Sequence, residues 1–503
     1  MTPGALGTLA ERALKWSALT TAARFALQFV AQVALARLLG PGNFGVYGIG
    51  MAVLTFVGFL SGASFSYSLM LQQQLTDEDV RFSFTWQMAA GVLAAAAMYA
   101  AAAPLAGFFG DERVEGMVQL LSLASLLTAA AAPATYLLQR DLNFRVLGLI
   151  QLASYAAGYL IVGVAMALAG FGAWALGAAC VVQAAVTLAA TYAARPHPLR
   201  PLWRHAGGGE ALVTGRTVFF TNIVNWLLGN LDRVIIGRVL NAHAVGLYTM
   251  AYNLASVPNA LLLGAFQPAF LAAGAKLQDD RARLAQGWRL GVACTLVLGT
   301  PAAVVLALLS HDIVGLLYGQ AWMESAWVLG LMFLCLPAWA SWGLSTPVLW
   351  NTGRKQHEFL LQLPLLALAV PAWWWLAPAG IRGIALASAG VILVRALVIV
   401  AAALHALDLR WSAIAGYGAR GLGLSALSAA AVLAGLELTA ALASPLAALL
   451  AGGAGAAVVM LLVLLFKPAL LGPEALMAIV RLAPRLAARI VRSAAVANSR
   501  GAA

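Results

Sequence analysis

Residues 34–53 read ALARLLGPGNFGVYGIGMAV, and residues 235–254 read IIGRVLNAHAVGLYTMAYNL. The two segments align without a gap at an offset of 201 residues. The residues that match in this register are Arg37 with Arg238, Leu39 with Leu240, Gly45 with Gly246 and Tyr47 with Tyr248. We interpret the match as an internal duplication. In a membrane chain such a long repeat is typical of transporters, whose substrate site lies between two related halves.

The composition places most of the chain in lipid. Its 503 residues are 62% hydrophobic and only 10% charged, whereas a soluble domain carries roughly 25% charged residues. Apolar runs of about 20 residues, long enough to cross the hydrocarbon core as helices, recur along the whole length. The sequence therefore predicts an all-α polytopic membrane protein of about 14 transmembrane helices. The predicted spans are 17–39, 44–70, 83–104, 116–138, 146–169, 172–194, 213–239, 244–272, 288–309, 325–350, 358–377, 382–405, 419–438 and 445–466.

The longest hydrophilic stretch between spans divides the chain. We predict an N-terminal lobe of helices 1–6 in residues 1–194, a cytoplasmic linker in 195–216 and a C-terminal lobe of helices 7–12 in 217–409. Helices 13 and 14 occupy residues 410–466 as an appendix. The duplication predicts that the two six-helix lobes are pseudo-symmetric around a central cavity.

Residues 467–503 are predicted to form a cytoplasmic amphipathic tail. Its basic side chains recur at the spacing of one helical face, at Arg481, Arg485, Arg489 and Arg492. A stripe of this kind favours an interfacial helix on anionic lipid. Pro484 argues against a single straight helix, and a frayed, solvated tail is the alternative.

The distribution of charge predicts the orientation. One set of alternate loops, which includes the linker, holds most of the Lys and Arg residues, so the positive-inside rule puts both termini in the cytoplasm. The first span is too long for a removable signal peptide and is expected to stay as a helix. The net charge of +12 is explained by this topology, so nucleic-acid binding is not predicted.

The cysteine and histidine residues form no metal pattern. Cys180, Cys294 and Cys335 each fall inside a predicted span, and the six His residues form no HxxxH or HExxH pair. Small apolar packing residues are the simplest interpretation of the cysteines. The sequence predicts no metal site, no cofactor and no enzymatic centre.

Polar residues inside the spans are the candidate substrate-binding residues, because each ionisable group costs roughly 2.5–3.5 kcal/mol at the bilayer centre. In the first span Arg24, Gln28 and Gln32 are spaced four apart and form one helical ridge. Arg395 is another mid-span base, to which we assign no role. A polar ridge of this kind is expected to face a water-filled cavity rather than lipid.

The seventh span also has polar residues on one helical face. Asn222, Asn225, Gly229, Asp232 and Arg233 fall within about 100° of one another on a helical wheel. At the 201-residue offset, Arg24 matches Asn225, Gln28 matches Gly229 and Gln32 matches Arg233. A cavity lined in this way prefers an anionic, hydrogen-bonding solute, and Arg can hold phosphate oxygens bidentately. The alternative is that Asp232 and Arg233 pair with neighbouring helices and hold the bundle together.

The eighth span adds Tyr248, Tyr252 and Asn259 on one face. Tyr252 and Asn259 are candidate substrate-binding residues, since an aromatic ring can stack on a sugar. Tyr248 has the alternative role of an interfacial anchor.

Several motifs resemble those of polysaccharide flippases of the Wzx type. They are NIVNWLLGNLDRVIIGRVLN (222–241), AVGLYTMAYNLASVP (244–258), ARLLGPGNFGVYG (36–48), LQQQLTDEDVRFSFTW (71–86), LLQRDLNFRVLGLIQL (137–152) and GFGAWALGA (170–178). The wider group is the multidrug/oligosaccharidyl-lipid/polysaccharide exporter superfamily. The resemblance covers roughly residues 15–405. It implies two six-helix lobes forming a V-shaped cavity, with two further C-terminal helices in some members.

The resemblance also implies the activity. The expected substrate is an undecaprenyl-diphosphate-linked oligosaccharide repeat unit, flipped from the cytoplasmic to the outer leaflet of the bacterial inner membrane for exopolysaccharide, capsule or O-antigen synthesis. Arg24 and Arg233 are then candidates for binding the diphosphate. Independently of the resemblance, Asp232 is the only acidic residue well inside a predicted span, so a proton or sodium ion could drive the cycle through it. A polymerase and a chain-length regulator of the polysaccharide assembly system are the expected protein partners.

Three alternatives remain open. A multidrug exporter of the same superfamily moves organic cations and is expected to place carboxylates in its cavity, whereas this chain has more deep bases than acids. A polytopic polysaccharide polymerase or ligase needs a sizeable outer loop with catalytic charges. A non-transporting scaffold has no need for mid-membrane arginines.

Overall fold

The computed structural model describes residues 3–60, 66, 69, 75–205, 208–275, 280–442 and 444–482. Eighteen α-helices follow one another over these residues, and no β-strand occurs among them. They are α1 (Pro3–Leu60), α2 (Asp77–Phe109), α3 (Arg113–Arg140), α4 (Phe144–Tyr155), α5 (Val164–Leu168), α6 (Trp174–Ala194), α7 (Gly208–Val239), α8 (Ala242–Ala275), α9 (Arg281–Cys294), α10 (Thr300–Leu308), α11 (Ser310–Leu317), α12 (Ser325–Leu334), α13 (Leu336–Asn351), α14 (Lys355–Leu376), α15 (Gly380–Ala406), α16 (Ser412–Thr439), α17 (Pro445–Phe466) and α18 (Gly472–Leu482).

The helices confirm the all-α polytopic membrane fold. Every predicted span overlaps one of them or a consecutive pair joined by a π-helical segment, as α4 is joined to α5 and α9 to α10. In the described part of the chain, nine helices are long and apolar enough to cross a membrane, or ten if α12 and α13, which meet at 48°, form one span. The number 14 stays a prediction.

Helix α1 contains the first copy of the repeat and bends inside it. Gly40 has φ 70° and ψ 172° and is followed by Pro41. Glycine adopts positive φ without a steric cost, and a proline ring forbids the helical hydrogen bond at the next position. The break lies between the first two predicted spans, so α1 consists of two helices that meet at a kink, one for each span.

The chain divides into two compact units, Met1–Thr249 and Met250–Ala503. The predicted lobe boundaries at residues 194, 216 and 409 stay predictions.

The two copies of the repeat contact each other inside the first unit. A Cβ added to Gly45 would overlap the carbonyl oxygen of Ala242, and one added to Gly246 would overlap that of Pro41. Gly45 and Gly246 are equivalent positions of the duplication. The segment after the bend in α1 and the start of α8 therefore cross at their matched glycines, where only a hydrogen side chain permits the close approach.

Residues 208–216 of the predicted linker belong to α7, and residues 195–205 are bound to the rest of the first unit. Arg195 forms an ion pair with Asp141 at 2.9 Å, and His205 Nε2 lies 2.8 Å from Asp79 Oδ1 near the start of α2. These contacts give the segment a fixed course along the first unit, although it has no regular secondary structure.

The core of the second unit is built from α9, α13, α15 and α16. Trp288 is fully buried and lies in one hydrophobic cluster with Ile399, Leu424 and Leu471. Helix α18 packs on this cluster through Ala475 and neighbouring residues. The rest of the predicted amphipathic tail, residues 483–503, lies outside the described residues.

Candidate functional site

Arg24 is a half-buried cation in the middle of the first predicted span. Its Nη1 donates to Oε1 of Gln151 on α4 at 3.0 Å. Its Nε is buried and has no hydrogen-bond partner among the described residues. Because Gln151 is neutral, this contact orients the guanidinium without cancelling its charge, so the group can still attract an anion.

Gln28 and Gln32 follow Arg24 on the same ridge of α1. Both side chains are half-buried, as expected for a face that is neither packed core nor fully open. Asn222 and Asn225 lie on α7, but their side chains fall outside the described residues, so their predicted binding role stays a prediction.

Among the predicted site residues whose side chains are described, Asp232 is the most buried, at 3% exposed. Its Oδ2 accepts a 2.6 Å hydrogen bond from the hydroxyl of Tyr248, whose side chain is fully buried. Its Oδ1 accepts from the backbone N–H of Arg233 at 2.8 Å. The structure therefore assigns Tyr248 to a buried hydrogen bond with Asp232 rather than to the membrane interface.

Arg233 lies next in sequence and folds back on its own helix. Its Nη1 donates to the carbonyl oxygen of Gly229 at 3.0 Å and to Oδ1 of Asn230 at 2.8 Å. Both acceptors are neutral. Arg24 and Arg233 thus share one feature, a guanidinium oriented by a neutral oxygen acceptor inside an apolar span.

Tyr252 and Asn259 lie in the second unit. The ring of Tyr252 is 5.2 Å from that of Trp339, centroid to centroid, with an interplanar angle of 47°. Asn259 is 7% exposed, and its Oδ1 has no hydrogen-bond partner among the described residues. A buried amide oxygen without a partner is unfavourable, and a ligand hydroxyl that donated to Asn259 Oδ1 would relieve this cost.

Arg395 has a well-defined environment that the sequence did not indicate. It is 8% exposed, its Nη2 donates to Oε1 of Gln362 at 2.6 Å, and its Cζ lies 3.6 Å from the ring centroid of Trp342. Glu358 and Tyr252 lie within electrostatic range of the guanidinium. Arg395 is the only deep base of its span and has no polar neighbours at helical spacing, so periodicity could not assign it a role.

The expected absence of a metal site is untested by a structure without ligands. Among the residues that the structure describes, no group of three or more His, Cys, Asp or Glu side chains could hold a metal ion.

A family model described as polysaccharide biosynthesis protein matches residues 34–327, which is more than half of the chain. The chain belongs to this family. The resemblance inferred from the motifs is thereby confirmed, and the matched region contains the bent α1 segment, the Gly45 and Gly246 contact, and Asp232 with Arg233.

Three known proteins are similar to this chain in sequence. The chain is 29% identical to the succinoglycan biosynthesis transport protein ExoT of Rhizobium meliloti over 75% of this chain and 73% of ExoT. It is 24% identical to the lipopolysaccharide biosynthesis protein WzxC of Escherichia coli, over 63% of this chain and 65% of WzxC. With the teichuronic acid biosynthesis protein TuaB of Bacillus subtilis it shares 22% identity over 63% of this chain and 66% of TuaB.

Solved structures share the fold. The lipid II flippase MurJ in an inward closed conformation superposes with a TM-score of 0.70 and 14% identity, covering 88% of this chain and 97% of MurJ. An inward-facing multidrug resistance MATE family transporter of the MOP superfamily gives a TM-score of 0.63 and 12% identity, over 76% of this chain and 94% of the transporter. At these identities the likeness establishes a polytopic helical fold found in transporters.

Proposed function

We propose that this protein flips an undecaprenyl-diphosphate-linked oligosaccharide repeat unit from the cytoplasmic to the periplasmic leaflet of the bacterial inner membrane by alternating access. The lipid would supply exopolysaccharide, capsule or O-antigen synthesis. The observation that carries the proposal is Arg24, a half-buried cation held by a neutral amide in a chain of the polysaccharide biosynthesis family. No bond is made or broken in this cycle, so the protein acts as a transporter.

The physical task is to carry a charged headgroup past hydrocarbon. A diphosphate exposed to lipid would lose its hydration, and burying unpaired charge is very costly. Fixed guanidinium donors replace that water with charge-assisted hydrogen bonds. Arg24 and Arg233 would bind the diphosphate, with Gln28, Gln32, Asn222 and Asn225 beside them. The prenyl chain would stay in lipid.

We propose that Asp232 couples the cycle to a proton or sodium ion. Its buried carboxylate accepts from Tyr248 and from the Arg233 backbone, so adding or removing a cation there would change the packing of α7 against α8. Asp232→Asn should then make the flipping rate insensitive to an imposed ion gradient. A variant with the wild-type response to both gradients would eliminate this role.

Orientation and partners follow from the same proposal. Both termini are placed in the cytoplasm by the positive-inside rule. The flipped lipid would be consumed on the outer side by a polymerase with a chain-length regulator, which are the proposed protein partners.

A cation-exporting multidrug transporter shares the fold and is the rival function. Such a pump needs an accessible carboxylate for its substrate. Asp232 is only 3% exposed and its carboxylate is bonded to Tyr248, which disfavours binding of a bulky organic cation there.

The proposal is tested by flipping of a fluorescent undecaprenyl-diphosphate oligosaccharide in proteoliposomes. Arg24→Ala and Arg233→Ala should each lower the flipping rate at least about tenfold, since each removes a charge-assisted contact of roughly 1.5–3 kcal/mol. The control is Arg113→Ala, because Arg113 lies at the start of α3, is 55% exposed and is paired with Asp111. Equal rates for all three variants would contradict the diphosphate site, and export of cationic dyes without flipping would favour the rival.

A further inference from the structure

One face of α13 carries aromatic and polar side chains along its whole length. Trp339, Trp342, Thr346 and Trp350 recur at a spacing that places them within about 80° of one another on the helix. We call these four residues the α13 stripe. From Trp339 to Trp350 the stripe extends about 16 Å along the axis.

The polar partners of the stripe come from α14 and α15. Glu358 Oε1 accepts from Thr346 at 3.2 Å, and Glu358 Oε2 accepts from Trp350 Nε1 at 2.7 Å. Gln362 Nε2 donates to Glu358 at 3.4 Å, and Gln362 Oε1 accepts from Arg395. A continuous hydrogen-bonded chain therefore runs beside the aromatic rings.

Membrane-interface anchoring does not explain the stripe. Tryptophans at an interface lie in a layer at the headgroup level. Trp350 is 52% exposed at the end of α13, but Trp339 lies about 16 Å further along the helix. Trp339 and Trp342 are half-buried, and the latter stacks on the buried guanidinium of Arg395. A cation at this depth normally faces a bundle interior or a water-filled cavity.

Beside the α13 stripe, one backbone carbonyl of the helix bonds to a side chain instead of to the helix backbone. Pro347 lies inside the helix and has no N–H to donate to the carbonyl four residues earlier. That carbonyl, of Gly343, accepts from Gln267 Nε2 at 2.6 Å instead. A further polar side chain is thereby held next to the stripe.

We propose that the α13 stripe is the saccharide subsite, a track on which neutral pyranose rings of the transported lipid-linked oligosaccharide stack. This inference rests on the proposed flippase function and specifies which part of the substrate the second unit binds. The C–H edges of a pyranose carry partial positive charge and complement the negative faces of Trp339 and Tyr252. Hydroxyl groups would bond to Glu358 and Gln362.

The local charge selects the class of sugar. Arg395 and Glu358 carry opposite formal charges and lie within electrostatic range of each other. The carboxylate of a uronate would add a negative charge that has no partner in this half-buried environment, where unpaired charge is costly. Neutral hexoses are therefore the expected occupants.

Equilibrium binding in detergent tests the track, with two tritiated probes: undecaprenyl diphosphate and undecaprenyl diphosphate carrying lactose. Trp339→Leu should weaken binding of the lactosyl lipid about fivefold, from the loss of one stacking contact, and leave binding of the bare lipid unchanged. Trp339→Phe should retain most of the affinity. The control is Trp375→Leu, because Trp375 is 85% exposed at the far end of α14.

The outcomes separate the two proposals. If wild-type protein binds neither probe, the proposed flippase function fails and the track fails with it. If it binds both probes equally well, or if Trp339→Leu weakens both alike, only the saccharide track is overturned. A lactosyl probe with glucuronate in place of glucose should bind more weakly than the lactosyl lipid, and tighter binding would contradict the charge argument.

Discussion

Two charged side chains inside the predicted spans have neutral hydrogen-bond partners. Gln151 orients Arg24, and Tyr248 binds Asp232. A neutral partner satisfies part of the hydrogen-bonding capacity of a charged group and leaves its charge available to a ligand. This arrangement suits a protein that must bind and release a charged substrate, because a fully paired charge would have to lose its partner first.

The buried bond between Tyr248 and Asp232 should contribute measurably to stability. Tyr248→Phe removes a hydrogen bond to a charged group, with an expected loss of roughly 1.5–3 kcal/mol. The duplication offers a matched comparison, since Tyr47 is the equivalent residue and its hydroxyl meets that of Tyr159. Tyr47→Phe removes a neutral pair and should cost about 1 kcal/mol.

Thermal unfolding of the purified variants in detergent measures this difference. Tyr248→Phe should have the lower midpoint. A lower midpoint for Tyr47→Phe would mean that the bond to Asp232 contributes less than a neutral pair of hydroxyl groups.

Where α1 and α8 cross, the two repeat copies are so close that there is no room for a side chain at the matched glycines. Gly45→Ala would press a methyl group against the backbone of Ala242, which no rotamer change can relieve. We expect a loss of about 1–3 kcal/mol from overpacking. Gly42→Ala is the control, because a Cβ there meets no atom within 4 Å.

Yield of folded protein and unfolding midpoint, both in detergent, check this contact. Gly246→Ala should behave as Gly45→Ala does. If Gly45→Ala matched the wild type in both measurements, the close approach of the two segments would be disproved.

Hydrogen bonds to Glu474 attach α18 to the rest of the second unit. Glu474 Oε1 accepts from Arg289 Nη2 at 2.9 Å and from the Tyr417 hydroxyl at 2.6 Å. Burial by itself would raise the pKa of Glu474, but the hydrogen bond from Tyr417 and the nearby positive charges of Arg289 and Arg420 outweigh it and hold the pKa below its usual value.

The sign of that pKa shift predicts how stability depends on pH. Because the pKa of Glu474 is lower in the folded protein, the contact stabilises the fold above the unfolded value near 4.3 and is lost as the pH falls through the folded pKa. Glu474→Gln should reduce stability at pH 7 by about 1 kcal/mol, a small value because the pair is partly exposed.

Unfolding midpoints at neutral and acid pH test this pH dependence. The gap between wild type and Glu474→Gln should narrow as the pH falls below about 4. Glu437→Gln, at an exposed carboxylate of α16, is the control. A gap of constant size, or one that widens in acid, would contradict the ionic contact.

At the scale of the whole molecule, the apolar runs predicted the helices because span length and hydropathy are local properties of the sequence. The duplication predicted equivalent positions, and Gly45 with Gly246 lie in direct contact. The partners of the site residues could not be predicted. Gln151 is 127 residues from Arg24, and a helical wheel gives the face of a side chain but not the residue opposite it.

In the second unit, too, the partners of a buried charge could not be predicted from the sequence. Arg395 had no assignment because its environment comes from two other helices, through Trp342 and Gln362. Residues 195–205 of the predicted linker are another case. They are bound through Arg195 to Asp141 and through His205 to Asp79, and partners so distant in sequence cannot be read from the linker itself.

The proposed flippase moves a lipid-linked oligosaccharide between leaflets, and leaflet exchange measures that movement directly. Fluorescent undecaprenyl-diphosphate oligosaccharide would be placed in both leaflets of vesicles, and the fluorophore on the outside reduced with membrane-impermeant dithionite. With wild-type protein nearly all of the fluorophore should become accessible, whereas in empty vesicles the inner pool should stay protected. An inner pool equally protected in both preparations, with folded protein present, would contradict the flippase function.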